Sequence, residues 1–377
     1  MSNILLFGGG LQSLSIARGL KEDGHTVFNM AEKASVGRFS RFVDFFDAID
    51  LKLFEWRDLL KFLIANEIGL VIPMEDEYAE WLSANKSDLE KNADVKLAVE
   101  REDLFARVIN KRDLLGFCKE NDIPHPCTVP LMVDNYHLIQ FPALIKPDVS
   151  NGSRGICRVD SIDDLHSKAP EALEKYGSCT VQEYIEQSHY YNVMLYRYGD
   201  GSWGQHVVTK ITRYYPVKGG SSSFCTTIAN EEILKPCKKL LEKLDWKGFA
   251  DFDVLEKGRG DYRIIEINPR VPASVHAAYI SGVNYGKMIA DDLLYNKKTT
   301  ACYTPGMQLR FLGLDIAWFL ASPARFKCKP SWFRFIGRHL HYQEGGIKDF
   351  MAMAYSIWLG VKKELSPSFR KAKSGMN

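Results

Sequence analysis

The stretch GFADFDVLEKGRGDYRIIEINPR, residues 248–270, reads as two strands joined by a short polar turn, KGRGD. Glu266 and Asn268 alternate with Ile265 and Ile267, so both polar side chains point to one face of the second strand. In the first strand Asp253 stands between Phe252 and Val254. A hairpin closed by that turn sets Asp253 opposite Glu266. An acid and an amide inside an apolar strand are costly to bury unless something binds them. Three convergent oxygen ligands suit a hard cation such as Mg²⁺. Alternation on a solvated sheet face gives the same pattern, so the hairpin alone leaves both readings open.

The sequence upstream narrows the choice. NKRDLLGFCKEN, residues 110–121, predicts a helix opened by Lys111, followed by a Pro-rich connector. FPALIKP is a strand that ends at Lys146 and Pro147. The polar loop DVSNGSRG then leads into a second strand, ICRVD, which reads as a hairpin with a long tip. A Gly/Ser loop can lie over a triphosphate and donate backbone N–H groups to it. Lysine supplies a point charge to phosphate oxygens, and Lys111 could reach the same anion as Lys146. A helix over 163–176 precedes TVQEYI, read as an edge strand whose backbone is available to an adenine edge. Two alternating strands flank the turn GDGS, and a helix over 231–244 leads back to the hairpin. This half is α+β.

The first hundred residues alternate differently. NILLF, HTVFNM and GLVIP are strands, and helical patterns follow each of them. That order predicts parallel strands with crossover helices. ILLFGGGLQSLSIARGL, residues 4–20, resembles a dinucleotide fingerprint, which needs Gly-x-Gly-x-x-Gly and an acid after the second strand. Gly8 and Gly10 fit, but Ser13 holds the third position, and Asn29 and Met30 stand where the acid belongs. The glycines therefore read as a tight turn that packs or lines one wall of a substrate cleft.

Taken together, EINPR after a strand carrying Asp253, ALIKPDVSNGSRGI, and VQEYI resemble the ATP-grasp superfamily, whose members include carbamoyl-phosphate synthetase large chains, biotin carboxylases and D-alanine–D-alanine ligases. The resemblance covers about three quarters of the 377 residues. It implies a Rossmann-like parallel-sheet domain (1–105), an ATP-grasp domain of two α+β subdomains (106–300, with a lid subdomain near 125–185) and a basic helical C-terminal extension (301–377). It implies ATP as cofactor, with Lys111 and Lys146 on the α- and β-phosphates. Ser150, Gly152, Ser153 and Gly155 fall in the lid loop over them. Glu183 and the backbone of Tyr184 and Ile185 would meet the adenine. Asp253, Glu266 and Asn268 would hold two Mg²⁺ ions, with Mn²⁺ as the alternative metal. Arg270 would stabilise the transferred phosphoryl group or a tetrahedral intermediate. Lys210 and Arg213 are further candidates for a phosphate or substrate carboxylate. The sequence departs from the family where an acid usually holds the ribose; His189 stands near that place. The activity implied is an Mg-dependent carboxylate–amine ligase working through an acyl phosphate. An enzyme acting on bicarbonate and a non-catalytic ATP-binding module are the alternatives. Tyr214, Tyr215, Ser221 to Ser223 and His276 are candidates for the substrate pocket.

Composition sets the outer limits. With 46% hydrophobic and 25% charged residues the chain can bury a large core, and a net charge of +2 gives no reason to expect nucleic acid. Eight scattered cysteines without Cys-x-x-Cys pairs read as reduced thiols of a cytoplasmic protein. No signal-peptide pattern is expected at the N-terminus and no apolar run is long enough to span a bilayer. From Ser322 onward eleven Lys and Arg face three Asp and Glu. The apolar run at 350–361 within this segment reads either as a helix packed on the core or as an interfacial helix making peripheral membrane contact. The partners expected are a small-molecule carboxylate and an amine, and a homodimer is left open.

Overall fold

Strands Phe45–Ala48, Thr26–Ala31, Asn3–Phe7, Ile68–Pro73 and Lys96–Leu97 lie side by side in that order, all parallel. Both faces of this sheet are covered, as parallel sheets require. Ile4, Leu6, Leu70 and Ile72 enter one core, and Leu5, Phe7 and Val71 enter another. The two outermost strands were not legible: one is largely exposed and the other has two residues. The computed structural model describes residues 1–150, 154–186, 189–217, 220–344 and 346–365.

A second, four-stranded sheet has the order Thr128–Pro130, Cys179–Glu183, Ala143–Pro147, Cys157–Val159. Ala143–Pro147 and Cys157–Val159 form the antiparallel hairpin expected, and helix Ile162–Tyr176 packs on it. One expectation fails. Cys179–Glu183 is not an edge strand, because Val181 pairs with Val129 on one side and Ile145 on the other. Its backbone groups are taken by neighbours, and the N–H groups of Glu183 and Tyr184 are taken as well.

The third sheet has seven strands: Asp261–Asn268, Gly248–Gly258, His189–Arg197, Val207–Tyr215, Ser221–Ile228, Gln308–Arg310 and Leu340–Tyr342. All pairs are antiparallel except the last. Helix Leu234–Lys243 buries Leu234, Cys237, Leu240 and Leu241 against one face, beside Tyr191, Val193, Phe252 and Val254. The boundary placed at residue 300 does not separate structure, since Gln308–Arg310 and Leu340–Tyr342 continue the central sheet. Helix Leu312–Ala321 packs across Val207–Tyr215. The later helix, Phe350–Leu365, sets Ala352, Tyr355 and Leu359 against Leu14, Val36 and Phe39 of the first domain. Ser40 donates to the Asp349 carboxylate, 2.5 Å away, at the same junction. Much of the apolar stripe of this helix is thus engaged by the protein, while Phe350, Met351 and Trp358 stay exposed.

Candidate active site

The hairpin of Gly248–Gly258 and Asp261–Asn268 sets Asp253 opposite Glu266 and Asp251 opposite Asn268. On its other side Asp253 faces Asn192, whose amide donates to the Asp253 carboxylate. Directly opposed residues share a face, so three carboxylates and two amides crowd one patch. Burial raises Asp253 well above the usual carboxylate range, and the charge of Glu266 adds to it. Burial likewise pushes Asp251 up to about 8, against the opposing pull of Arg270 and Asn268. Glu266 goes the other way: burial pushes it up, but Lys111 and the hydrogen bond with Asp253 outweigh that and lower it. One Asp251 oxygen is buried with no hydrogen-bond partner among the described residues. Asn268 turns its amide N–H₂ to Asp251 at 3.3 Å, which leaves its oxygen available. Stacked carboxylates, a spare amide oxygen and an orphaned buried oxygen fit a divalent cation.

Cations reach this patch from other elements. Asn110 caps helix Lys111–Glu120 by accepting from the N–H groups of Arg112 and Asp113. That cap directs the Lys111 ammonium to the Ser150 carbonyl at 3.0 Å, 3.7 Å from Glu266. Lys146, at the end of its strand, donates to the Gln182 side chain at 2.5 Å. Burial, joined by the neighbouring charge of Lys111, lowers its pKa to about 8. Both lysines, Ser150, Asp251, Asp253, Glu266, Asn268 and Arg270 line one cavity of about 300 Å³.

Arg270 is held by Asp76 of the first domain through two hydrogen bonds of 2.7 and 2.8 Å. It also borders a second cavity of about 360 Å³, lined by Gly10, Gln12, Glu32, Glu75, Asp76, Glu77, Tyr78 and Arg154. Of the opening glycines, Gly10 borders this cavity. Gly8 has φ +104°, and a Cβ on Gly9 would lie 2.0 Å from the Ser35 hydroxyl. The Gly9 N–H donates to the Glu75 carboxylate at 2.9 Å. A protein acid thus engages the turn amide at the place where a dinucleotide fold would present it to phosphate.

Two sequence expectations are corrected. Lys210 pairs with Tyr191, which belongs to the helix-covered face with Val193 and Val208. It therefore points away from Asp253. Arg213 follows a register shift in its strand and comes to lie opposite Phe224. There it is buried and paired with Asp315 at 2.7 and 2.9 Å, its guanidinium over the Phe224 ring. His276 is also set apart, buried with its Nδ1 3.2 Å from the Ser15 hydroxyl.

The remaining predicted residues are distributed as follows. Gly152 and Ser153 lie outside the described residues. Gly155 has φ +74°, and a Cβ there would press on the Tyr176 ring. Glu183 pairs with Lys257 at 3.0 Å. The Tyr184 N–H donates to Pro142, and Arg158 lies over the Tyr184 ring at 4.5 Å. Ile185 is buried, and His189 is exposed opposite Glu256. None of these five lines the 300 Å³ cavity. Ser221 and Ser222 do line it, whereas Ser223 donates to Asp315. Sequence reasoning missed Asp251, Asn192, Tyr190 and Asp76. Asp251 was within reach, since it alternates with Asp253 along one strand. The others depend on long-range pairing.

A family profile described as "ATP-grasp in the biosynthetic pathway with Ter operon" matches residues 202–312. A D-aspartate ligase of Enterococcus faecium is 28% identical over 255 residues, 60% of this chain and 59% of that protein. A D-alanine–D-alanine ligase of Flavobacterium psychrophilum is 26% identical over 218 residues, 52% of this chain and 64% of its own length. The chain thus spans about three fifths of the length of the curated relatives it matches. Among solved structures, an ADP complex of N5-carboxyaminoimidazole ribonucleotide synthetase superposes with a TM-score of 0.68 at 14% identity, covering 96% of this chain and 98% of that one. An L-amino acid ligase of Bacillus licheniformis gives 0.60 at 14% identity over 78% and 74%. At such identity the likeness is one of fold. The chain has the fold of these ATP-grasp proteins, and its residues 202–312 match an ATP-grasp family profile.

Proposed function

We propose that this chain is an ATP-dependent carboxylate–amine ligase that forms an amide through an acyl phosphate. The observation that carries the reading is the single cavity where Lys111 and Lys146 face Asp253, Glu266 and Asn268. Lys111 and Lys146 would take the α- and β-phosphates, with Ser150 and Gly155 at the two ends of the loop above them. Glu183, Tyr184 and Ile185 would meet the base and His189 the ribose. Asp253, Glu266 and Asn268 would hold Mg²⁺, which supplies charge neutralisation to the phosphate oxygens when bound. Two ions, or Mn²⁺ in place of Mg²⁺, belong to the same reading.

Phosphoryl transfer asks for positioning and charge rather than covalent help. A substrate carboxylate oxygen attacks the γ-phosphorus, the bond to the bridging oxygen breaks, and ADP leaves. The amine nitrogen then attacks the acyl carbon, the C–O bond to phosphate breaks, and phosphate and a proton leave with the amide. Arg270, anchored by Asp76, stands at the border of the nucleotide cavity and the acidic one. It is placed to steady the negative oxygen of either step. The cavity with Glu32, Glu75 and Glu77 offers a negative surface to the incoming amine. The names of the two curated relatives, both ligases of amino acids, support this chemistry.

ADP release with Mg-ATP, measured against amino acids and sugar acids singly and in pairs, tests the proposal. Release that requires a carboxylate and an amine together supports it. Release with bicarbonate alone, or none with any pair while nucleotide binds, contradicts it.

A further inference from the structure

We propose that the segment from Phe319 to Arg338 is a docking surface for an anionic phospholipid membrane. Between Ser322 and Arg338 the sequence holds five Lys and Arg and no Asp or Glu. Interleaved with these cations are apolar side chains that stand in water: Phe326 is 72% exposed, Phe333 59% and Ile336 90%. Soluble surfaces carry single exposed apolar residues without consequence, but a contiguous group marks a contact. Here the group is contiguous, because Phe326 and Phe333 stack at 6.3 Å and both rest on Phe319, at 5.6 and 5.7 Å.

The segment is also built rather than loose. Beneath it Asp315, fully buried, pairs with Arg213 and Arg310, each at 2.7 Å. Arg213 goes on to donate to the Pro330 carbonyl at 3.1 Å, and Arg310 to the Arg334 carbonyl at 3.2 Å. The Trp332 indole N–H donates to the Asp315 carbonyl at 3.0 Å. Two buried guanidinium groups thus hold the loop from below, so its aromatic tips are presented on a fixed base. Lys327, Lys329, Arg334 and Arg338 take part in no ion pair among the described residues. Apolar tips that enter the boundary of headgroups and acyl chains, with long cations reaching lipid phosphates, make an interfacial anchor. Cations of one sign interleaved with exposed apolar tips match a surface where phosphates lie directly beside acyl chains, which favours a lipid surface. No helix among the described residues is long and apolar enough to cross a membrane, so the contact is peripheral. The inference stands apart from the ligase reading, because no residue of the nucleotide cavity takes part.

Vesicle flotation of the full chain tests it, with phosphatidylcholine vesicles that contain or lack phosphatidylglycerol. The protein should float with the anionic vesicles only and be released by salt. The triple variant Phe326→Ser, Phe333→Ser, Ile336→Ser should lose vesicle affinity on the order of tenfold or more. Lys327→Gln with Lys329→Gln should lose about tenfold. Both variants should bind Mg-nucleotide as the parent does, which shows them folded. Failure of the parent to float with anionic vesicles, or equal flotation of the triple variant, overturns the proposal. Conversion of a dimer to a monomer by the triple variant, without vesicle capture by the parent, would assign the surface to a second copy instead and also overturn it.

Discussion

Two groups of buried charges lie against the same seven-stranded sheet and differ in how they are compensated. Asp315 receives Arg213 through two hydrogen bonds and meets Arg310 at 2.7 Å. The cation that pairs with the hairpin carboxylates is more distant, Lys111 at 3.7 Å from Glu266, and Asp251, Asp253 and Glu266 largely face one another. In the first group one carboxylate holds two guanidinium groups in direct contact, each of which also donates to a loop carbonyl, and the result is scaffold. In the second, the charge of Glu266 adds to the burial that raises Asp251 and Asp253, and the proposed reading places a cation from outside against them. Buried charge by itself therefore does not mark a site; what sets the second group apart is carboxylates gathered without a cation in close contact.

That contrast can be broken by substitution. The largest effect is expected at Asp315→Ala, which strands two buried guanidinium groups and should lower stability by about 3–5 kcal/mol. Thermal unfolding measures it, and a shift below the noise would show that Asp315 is not the neutralising group. Glu266→Gln should do the reverse. It should change stability of the metal-free protein by less than about 1 kcal/mol, yet reduce ADP release by ~100-fold or more, about 2.7 kcal/mol of barrier. A strongly destabilised Glu266→Gln protein, or one with an unchanged rate, would erase the distinction between the two groups.

A smaller effect sharpens it by acid titration. Burial, helped by the positive charge of Arg18, depresses the His276 pKa from 6.5 to about 3. The folded protein then resists a proton that the unfolded chain accepts. Stability from this group is full above pH 6.5 and is lost on acidification, at up to about 1.4 kcal/mol per pH unit between roughly 6.5 and 3. Denaturation midpoints across that range should fall less steeply for His276→Gln. An equal slope in both proteins would mean that His276 is not buried neutral.

How much of this was legible in the sequence depended on the range of the interactions. The hairpin was readable because Asp253, Glu266 and Asn268 lie on adjacent strands joined by a short turn, where alternation fixes the facing side. Lys111 and Lys146 were readable from their places at a helix start and a strand end. Lys210 was misplaced because the facing side of its strand is fixed only by long-range pairing, and Arg213 because a register shift precedes it, which nothing local announces. SSSFCTTI gave a weak strand signal, being largely polar despite the Pro and Gly-Gly before it, yet Ser221–Ile228 sits inside the sheet. The segment after residue 300 looked like an appendage because its two strands are three residues each. Only pairing with Ser221–Ile228 and with each other makes them part of the domain. Asp76 and Arg270 are 194 residues apart, and their ion pair arises only once both domains are assembled.

The most direct test of the central claim is calorimetric titration of the protein with ADP, with and without magnesium. If the cleft face of the hairpin is completed by a divalent cation, magnesium should tighten nucleotide binding by about tenfold or more in the parent and have little effect in Glu266→Gln. Equal affinity with and without the metal in the parent would contradict the account.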